Sequence, residues 1–419
     1  VKSMPHPLWT LLSAPGEADP AERIAVAAEG VRIRYGDGSW ALCATSGLWN
    51  VNLGYGNRAV ADAVSTALAE ASYLSLFRTS HAPAIAAAGA LLEVCGPEQY
   101  ARTVFSTSGS AANDLTMKLV RQYWTLHGDD HRRVVVGLKG SYHGLTYGSH
   151  GLTGEQLGQA LYGVDQRLVR HVTHQDQGAE LAALLRREGH RIAAVVVEPV
   201  LGSGAFPLSE EFLTVLQELR REHGFLLVAD EVATGFGRTG MYYASERWSP
   251  RPDLLITSKG LTNGTCAAAA VLVSYGVSAA FEQSASPLVH GETQAGTPST
   301  CAAIMATIAE MERLSAVERA VALSGRLEAM LSRLLGHSLV AGVRGMGCFR
   351  AVRLSLEGAD LPHDGVLRVV SAMREVGVVV QPGPSCIQLI PALVYTGAEL
   401  EELETLLTAG LDRAAEVLL

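Results

Sequence analysis

At 419 residues the chain is long enough to bury a sizeable core and to fold as two or three domains, or as one large domain with appendages. Charged residues are 18%, hydrophobic residues 48%, and the formal net charge is −9. That balance excludes the basic footprint of a nucleic-acid or anionic-membrane binder and leaves a small, soluble partner as the expectation.

From Val1 to Trp9 there is no apolar core of a secretory signal, and the richest apolar run, Cys266–Ser274, is too short to span a bilayer. Residues 1–50 read as an N-terminal arm and hairpin packing with the small domain, with Val31–Tyr35 and Trp40–Cys43 flanking the turn Gly36–Ser39. Residues 51–301 read as the large domain. Its apolar runs, Arg102–Ser108, Val134–Leu138, Ile192–Val200, Phe225–Asp230, Leu254–Ser258 and Cys266–Ser274, are continuous rather than alternating, the mark of a parallel sheet covered on both faces. Amphipathic stretches at Glu180–Glu188 and Glu210–Glu222 fit crossover helices, so the predicted class is α/β. Residues 302–419 read as a smaller α+β unit: a helical pattern from Ala302 towards Leu335, short strands at Leu339–Val343, Cys348–Leu354 and Val378–Gln381, and a last helix over Gly397–Leu418. The six cysteines (43, 95, 266, 301, 348 and 386) lie far apart with no Cys-x-x-Cys spacing, so neither a metal site nor a disulfide framework is expected, and a cytoplasmic setting fits best.

Chemistry concentrates where these strands end. Asp230 ends one apolar run and Lys259 follows another, and a third run meets Glu198. Burying acids is costly unless they are paired, so a lysine and two acids at one rim of a sheet read as a site rather than as accidents. An amine that can hold an aldehyde and a carboxylate that can keep a ring nitrogen protonated are what pyridoxal phosphate (PLP) needs. The Ser/Gly turn Thr107–Asp114 opens a helix with Leu115, Leu119 and Tyr123 on one face; its free N–H groups suit a phosphate, although such turns also simply cap helices. Tyr142 and His143, just past Val134–Leu138, are placed over the crevice where such folds bind ligands; a core aromatic with a hydrogen-bonded histidine is the plainer reading.

With these residues in view, the chain from about Trp40 onward resembles a class III aminotransferase of PLP fold type I. The strongest match is Leu227–Gly240, followed at the family's spacing by Ser258–Gly260. Carried over by position, Lys259 resembles the Schiff-base lysine and its proton carrier, Asp230 the partner of the pyridine nitrogen, and Val232 and Tyr142 the residues on the two ring faces. Gly109 and Ser110 match the phosphate cup, His143 lies beside the ring, and Glu198 organises its far side. His290–Pro298 is similar to a stretch whose threonine, here Thr293, reaches the phosphate of a neighbouring subunit, which implies a homodimer with shared sites. Ser46–Gly56 is most like the ω-amine branch, in which Trp49's position lines the substrate pocket; a buried anchor is the alternative for that ring.

Two departures stand out. The family's Ser-Glu-Ala-Asn is Ser110–Asn113 with Ala111 in place of the glutamate, and Gln388 stands where many members have an arginine that grips an α-carboxylate. A neutral amide cannot replace a guanidinium fork. The expectation is therefore an acceptor without a carboxylate beside the reacting carbon, the alternative being that Arg78 or Arg344 takes over. Ser46–Gly56, Ser258–Ser274 and His290–Ala303 together look most like aminotransferases of daptide-type ribosomal peptide clusters, which convert a C-terminal peptide ketone to an amine. An ordinary 2-oxo acid aminotransferase, a decarboxylase, mutase or racemase on the same fold, and a non-catalytic regulator are the competing readings.

Overall fold

The computed structural model describes residues 7–15 and 23–418. Parts of the predicted arm and of the amino-terminal stretch, residues 1–6 and 16–22, lie outside the described residues. The predicted hairpin is β2 (Arg32–Tyr35) and β3 (Trp40–Cys43), preceded by a strand the sequence reading missed, β1 (Ala25–Glu29), and all three pair antiparallel. Helices α1 (Arg58–Glu70) and α2 (Ala82–Cys95) follow.

The central sheet is built from β4 (Tyr100–Ser106), β5 (Val134–Leu138), β6 (Val169–Val172), β7 (Ile192–Val197), β8 (Leu226–Asp230), β9 (Leu254–Ser258) and β10 (Ala269–Ser274). In space the order is β4-β10-β9-β8-β7-β5-β6. The sheet is mostly parallel, as expected, with one strand, β10, running against its neighbours β9 and β4. The connection from Lys259 to Ala268 is too short for a crossover helix, and a strand reached that way must return antiparallel. Strand β6 escaped the sequence reading because it is an edge: Arg170 and His171 are half-buried and break the apolar run.

Both faces of this sheet are covered. On one face Leu115, Leu119 and Val120 of α3 (Gly109–Leu126) meet Val135, Val196, Val228 and Ile256. On the other, Leu181, Leu184 and Leu185 of α4 (Ala179–Glu188) and Phe212 and Leu216 of α5 (Glu210–His223) meet Val134, Val136, Val195, Val197 and Leu227. Adjacent residues of one strand thus serve opposite cores, which is why the strands are apolar throughout.

The helical pattern predicted from Ala302 to Leu335 is two helices, α6 (Pro298–Arg313) and α7 (Ala316–Arg333), broken where Ser315 takes φ +47°. Strands β11 (Val340–Met346) and β12 (Phe349–Leu356) follow, then α8 (His363–Glu375), which the sequence reading did not identify. The run predicted as one strand over Val378–Gln381 divides into β13 (Val378–Val379), which pairs parallel with β3, and β14 (Gln381–Gly383), which pairs with β15 (Cys386–Leu389). The N-terminal hairpin is thereby stitched to the C-terminal unit, which closes with α9 (Gly397–Leu418). No helix of the described residues is long and apolar enough to cross a membrane, and they contain no cluster of potential metal ligands.

Candidate active site

Because β5, β7, β8 and β9 are mutually parallel, their carboxyl ends open on one rim. Register brings the chemistry level: Val197 pairs with Ala229 and Asp230 with Ile256, so Glu198, Asp230 and Lys259 emerge from three adjacent strands. Lys259 leaves β9 with φ +50° into a short 3₁₀ turn. The residue is half-buried, with its amine turned inward and its Nζ 4.1 Å from the Trp49 ring centroid. Burial pushes its pKa down to about 8, the charges of Glu198 and Asp230 opposing and that of Arg238 assisting.

Asp230 is fixed on both oxygens. Oδ2 accepts from His143 Nδ1 at 2.7 Å and Asn113 Nδ2 at 2.9 Å, and Oδ1 accepts from the Val232 N–H at 3.2 Å. Burial opposes a charge on His143, but its hydrogen bond to Asp230 and the nearby carboxylates outweigh this and raise its pKa. Glu198 accepts from the backbone N–H groups of Tyr142 (2.9 Å) and Gly202 (2.8 Å), and burial lifts its carboxyl to about 7. Tyr142 keeps part of its ring exposed above this cluster.

At the start of α3, Ser108 caps the helix, its Oγ accepting from the Ala111 N–H. A Cβ on Gly109 would meet Val232 at 3.0 Å, and one on Gly144, at φ +123°, would meet Ser110 Oγ at 2.1 Å. These two glycines let Val232 and the loop after Tyr142 close on the helix terminus. Trp49 takes φ +64° and packs on Phe349, ring centroids 5.3 Å apart. The structure brings Lys259, Asp230, Glu198, His143, Tyr142, Val232, Gly109, Ser110 and Trp49 to the same end of the sheet. Thr293 lies exposed on the turn before α6, next to Glu292, whose carboxylate accepts from Ser106 and Thr107 at the end of β4. Gln388 is 2% exposed in β15, its Oε1 accepting from the Gly204 N–H at 2.7 Å.

Sequence reasoning missed two groups. Asn113 has no role readable from the Ser/Gly motif, yet it joins Asp230 to the backbone carbonyls of Gly109 and His143; its place one turn into the helix is the available signal. Arg238 is fully buried, and burial lowers its pKa to about 10. Its guanidinium donates to Asn52 Oδ1 (2.6 Å), Ser46 Oγ (3.2 Å) and Pro391 O, tying the loop that carries Trp49 to the segment after Gln388.

Comparison with known proteins decides the family. Aminotransferase class-III matches residues 13–411. The chain belongs to the class III aminotransferases. This class III chain is 34% identical to the acetylornithine aminotransferase of Mycolicibacterium smegmatis, over 93% of its own length and 94% of the relative's. It is 30% identical to an omega-aminotransferase of Caulobacter vibrioides, over 89% of each. A solved amine transaminase from an uncultivated Pseudomonas species, in its PLP-bound internal aldimine form, superposes with a TM-score of 0.91 at 28% identity over 99% of both chains. The protein is thus a PLP-dependent aminotransferase of fold type I, with ω-type enzymes among its relatives. The residues present fit that cofactor: a buried amine of lowered pKa, an anchored carboxylate, and a helix terminus opened by glycines. His143 Nε2, Asn113 Oδ1 and Trp49 Nε1 are also buried there without a hydrogen-bond partner among the described residues.

The buried ammonium has a cost that can be measured. Since the folded pKa of Lys259 lies below that of an unfolded lysine, about 10.4, its burial penalises the fold fully below pH 8, and the penalty fades as pH rises to about 10.4. Lys259→Met is therefore expected to stabilise the apoprotein by on the order of 1–3 kcal/mol at pH 7 and by clearly less near pH 10.4, read from denaturant unfolding.

Proposed function

We propose that this class III aminotransferase moves an amino group from an amine or amino-acid donor to a ketone or aldehyde that lacks an adjacent carboxylate, the C-terminal ketone of a ribosomal peptide of the daptide type being the best-fitting acceptor, and that it works in the cytoplasm as a homodimer. The observation that carries this reading is Gln388. A neutral, buried amide stands there, and its Oε1 is committed to Gly204. Nearby guanidinium groups are engaged by the protein itself: Arg238 as described, and Arg344 by donating to Gly204 O and lying 3.8 Å over the Phe206 ring.

When bound, PLP supplies an electron sink that lets a carbon attached to nitrogen lose a proton. In our reading Lys259 holds the cofactor, and once freed by the donor its Nζ takes the proton from the donor carbon and returns it on the other side of the exchange. Asp230, held by His143 and Asn113, keeps a proton at the ring nitrogen. Val232 and Tyr142 confine the ring between them, and Gly109 and Ser110 receive the phosphate with the N–H groups of the α3 terminus. Glu198 closes the far side of the ring, and Trp49 walls the substrate side. Thr293, exposed in the single chain, completes the partner's phosphate site.

The test compares a methyl ketone with the matching 2-oxo acid as acceptor. Wild type should favour the ketone by at least about tenfold in kcat/KM, and Gln388→Arg should raise the 2-oxo acid rate by about 10–100-fold, since a hydrogen bond to a charged group contributes about 1.5–3 kcal/mol. The same change orphans the Gly204 N–H, so a lowered Tm should accompany it. An unchanged preference favours the ordinary 2-oxo acid reading, in which Arg78 or Arg344 takes the carboxylate; replacing the one responsible by alanine would then abolish it.

A further inference from the structure

Helix α3 begins with Ser108 as its cap, followed by Gly109, Ser110 and Ala111, and its first turn holds no acidic residue. A serine cap with a glutamate three residues on forms a reciprocal box, the glutamate accepting from the cap's own N–H. Ala111 cannot do this. A carboxylate arrives instead from 185 residues away in sequence. Glu292 Oε1 accepts from Ser106 Oγ at 2.5 Å, and its Oε2 accepts from the Thr107 N–H at 3.1 Å and from the Thr107 hydroxyl. Its side chain is 20% exposed, and that of His290, whose Nε2 lies 3.8 Å from Glu292 Oε1, is 14% exposed. Apart from that contact His290 Nε2 makes no hydrogen bond among the described residues. The glycine between them, Gly291, lies against the ring of Phe77, in the loop before α2.

We propose that Glu292 is a positioning residue of the phosphate-binding turn: it supplies from across the fold the carboxylate that the first turn of α3 lacks, and by gripping Ser106 and Thr107 it holds Ser108–Ser110 in the shape that receives the cofactor phosphate. This rests on the placement of that phosphate at Gly109 and Ser110 proposed above. Two effects of opposite sign meet here. A carboxylate near a phosphate repels it, but the repulsion acts through a partly solvated gap with His290 alongside, whereas three charge-assisted hydrogen bonds fix two consecutive residues immediately before the cap. Ordering wins, and Glu292 tightens cofactor binding. Because Thr293 is the next residue, the same anchor sets the segment proposed to reach the partner's site.

The experiment titrates apoprotein with PLP and, separately, with pyridoxal, which lacks the phosphate. Glu292→Ala should raise the Kd for PLP about tenfold while leaving that for pyridoxal within about twofold, a phosphate-specific loss that general destabilisation would not give. Adding Ala111→Glu to that variant should recover part of the affinity by restoring the box. Ser110→Ala serves as the control for the cup. If Ser110→Ala weakens PLP but Glu292→Ala leaves it unchanged or tighter, or weakens PLP and pyridoxal alike, the role of Glu292 is overturned. If neither variant affects PLP, the phosphate does not sit at α3 and the inference falls with that placement.

Discussion

Lys259→Ala should lower transamination by about 10⁴-fold or more, because in the proposed mechanism one side chain would carry both the covalent hold on the cofactor and the proton transfer, and general acid–base catalysis alone contributes about 10²–10⁴. The structure gives this lysine the properties the task requires. Its amine is buried and its pKa falls to about 8, so a useful fraction is neutral near physiological pH, where an ordinary lysine would be almost wholly charged. Loss of fold is separated from loss of chemistry by denaturant unfolding of the same variant, read beside that of Lys259→Met. The decisive measurement is the half-reaction with donor alone, followed by cofactor absorbance. Small amines added to the variant should restore part of the rate, because they replace the missing base. In the apoprotein the rate of PLP capture should climb as pH rises through the range where the free Lys259 amine loses its proton. A variant within about tenfold of wild type would mean that another group moves the proton.

How much of this was legible beforehand follows from how local each feature is. Asp230, Glu198 and Lys259 were readable because a continuous apolar strand that ends in a charge announces both the sheet and its rim, and parallel strands put their ends on one side. The direction of β10 was less visible: its apolar run resembles its parallel neighbours, and only the length of the preceding connection distinguishes it. Strand β6 and helix α8 were lost for opposite reasons. The first lies half-buried at an edge, and the second is amphipathic but sits between strands short enough to absorb attention. The contacts that organise the site are non-local and carry no signal in a single chain. Arg238 meets Asn52 across 186 residues, and Gln388 meets Gly204 across 184.

That last pairing changes what Gln388 means. From sequence it was a missing charge in the pocket; in the fold it is also a structural acceptor. The ribbon between Val200 and Pro207 places Gly202 against both Trp49 and Glu198, where a Cβ would lie 3.4 Å from the indole and 3.0 Å from Glu198 Oε2. Gln388 and Arg344 hold Gly204 of that ribbon by its N–H and its carbonyl. Gln388, which carries the proposed acceptor preference, and Glu198 are therefore linked through one backbone loop. A substitution at Gln388 should be judged by the ratio of acceptors rather than by absolute rate.

Asp230→Asn is expected to cost about 10³-fold in the half-reaction with donor, at the upper end of what removing one buried electrostatic partner of a reacting group does. An amide at this position is isosteric but has the wrong hydrogen-bonding sense. Asp230 Oδ2 faces two donors, His143 Nδ1 and Asn113 Nδ2, and Oδ1 faces a third, the Val232 N–H. An NH₂ in either place confronts a donor, and the charge that would hold a proton at the ring nitrogen is gone. Cofactor should remain bound through Lys259 and the α3 terminus, so the loss should appear in rate and not in cofactor content. Asp230→Ala goes further: Asn113 Nδ2 keeps the carbonyls of Gly109 and His143, but His143 Nδ1 and the Val232 N–H lose their acceptor, at about 1–3 kcal/mol for a buried donor, so a fall in Tm should join the fall in rate. The pair of variants separates electrostatics from packing. If Asp230→Asn kept a rate within tenfold of wild type, the carboxylate would be an anchor for His143 and Asn113 and nothing more, and the electron sink would have to be maintained without it.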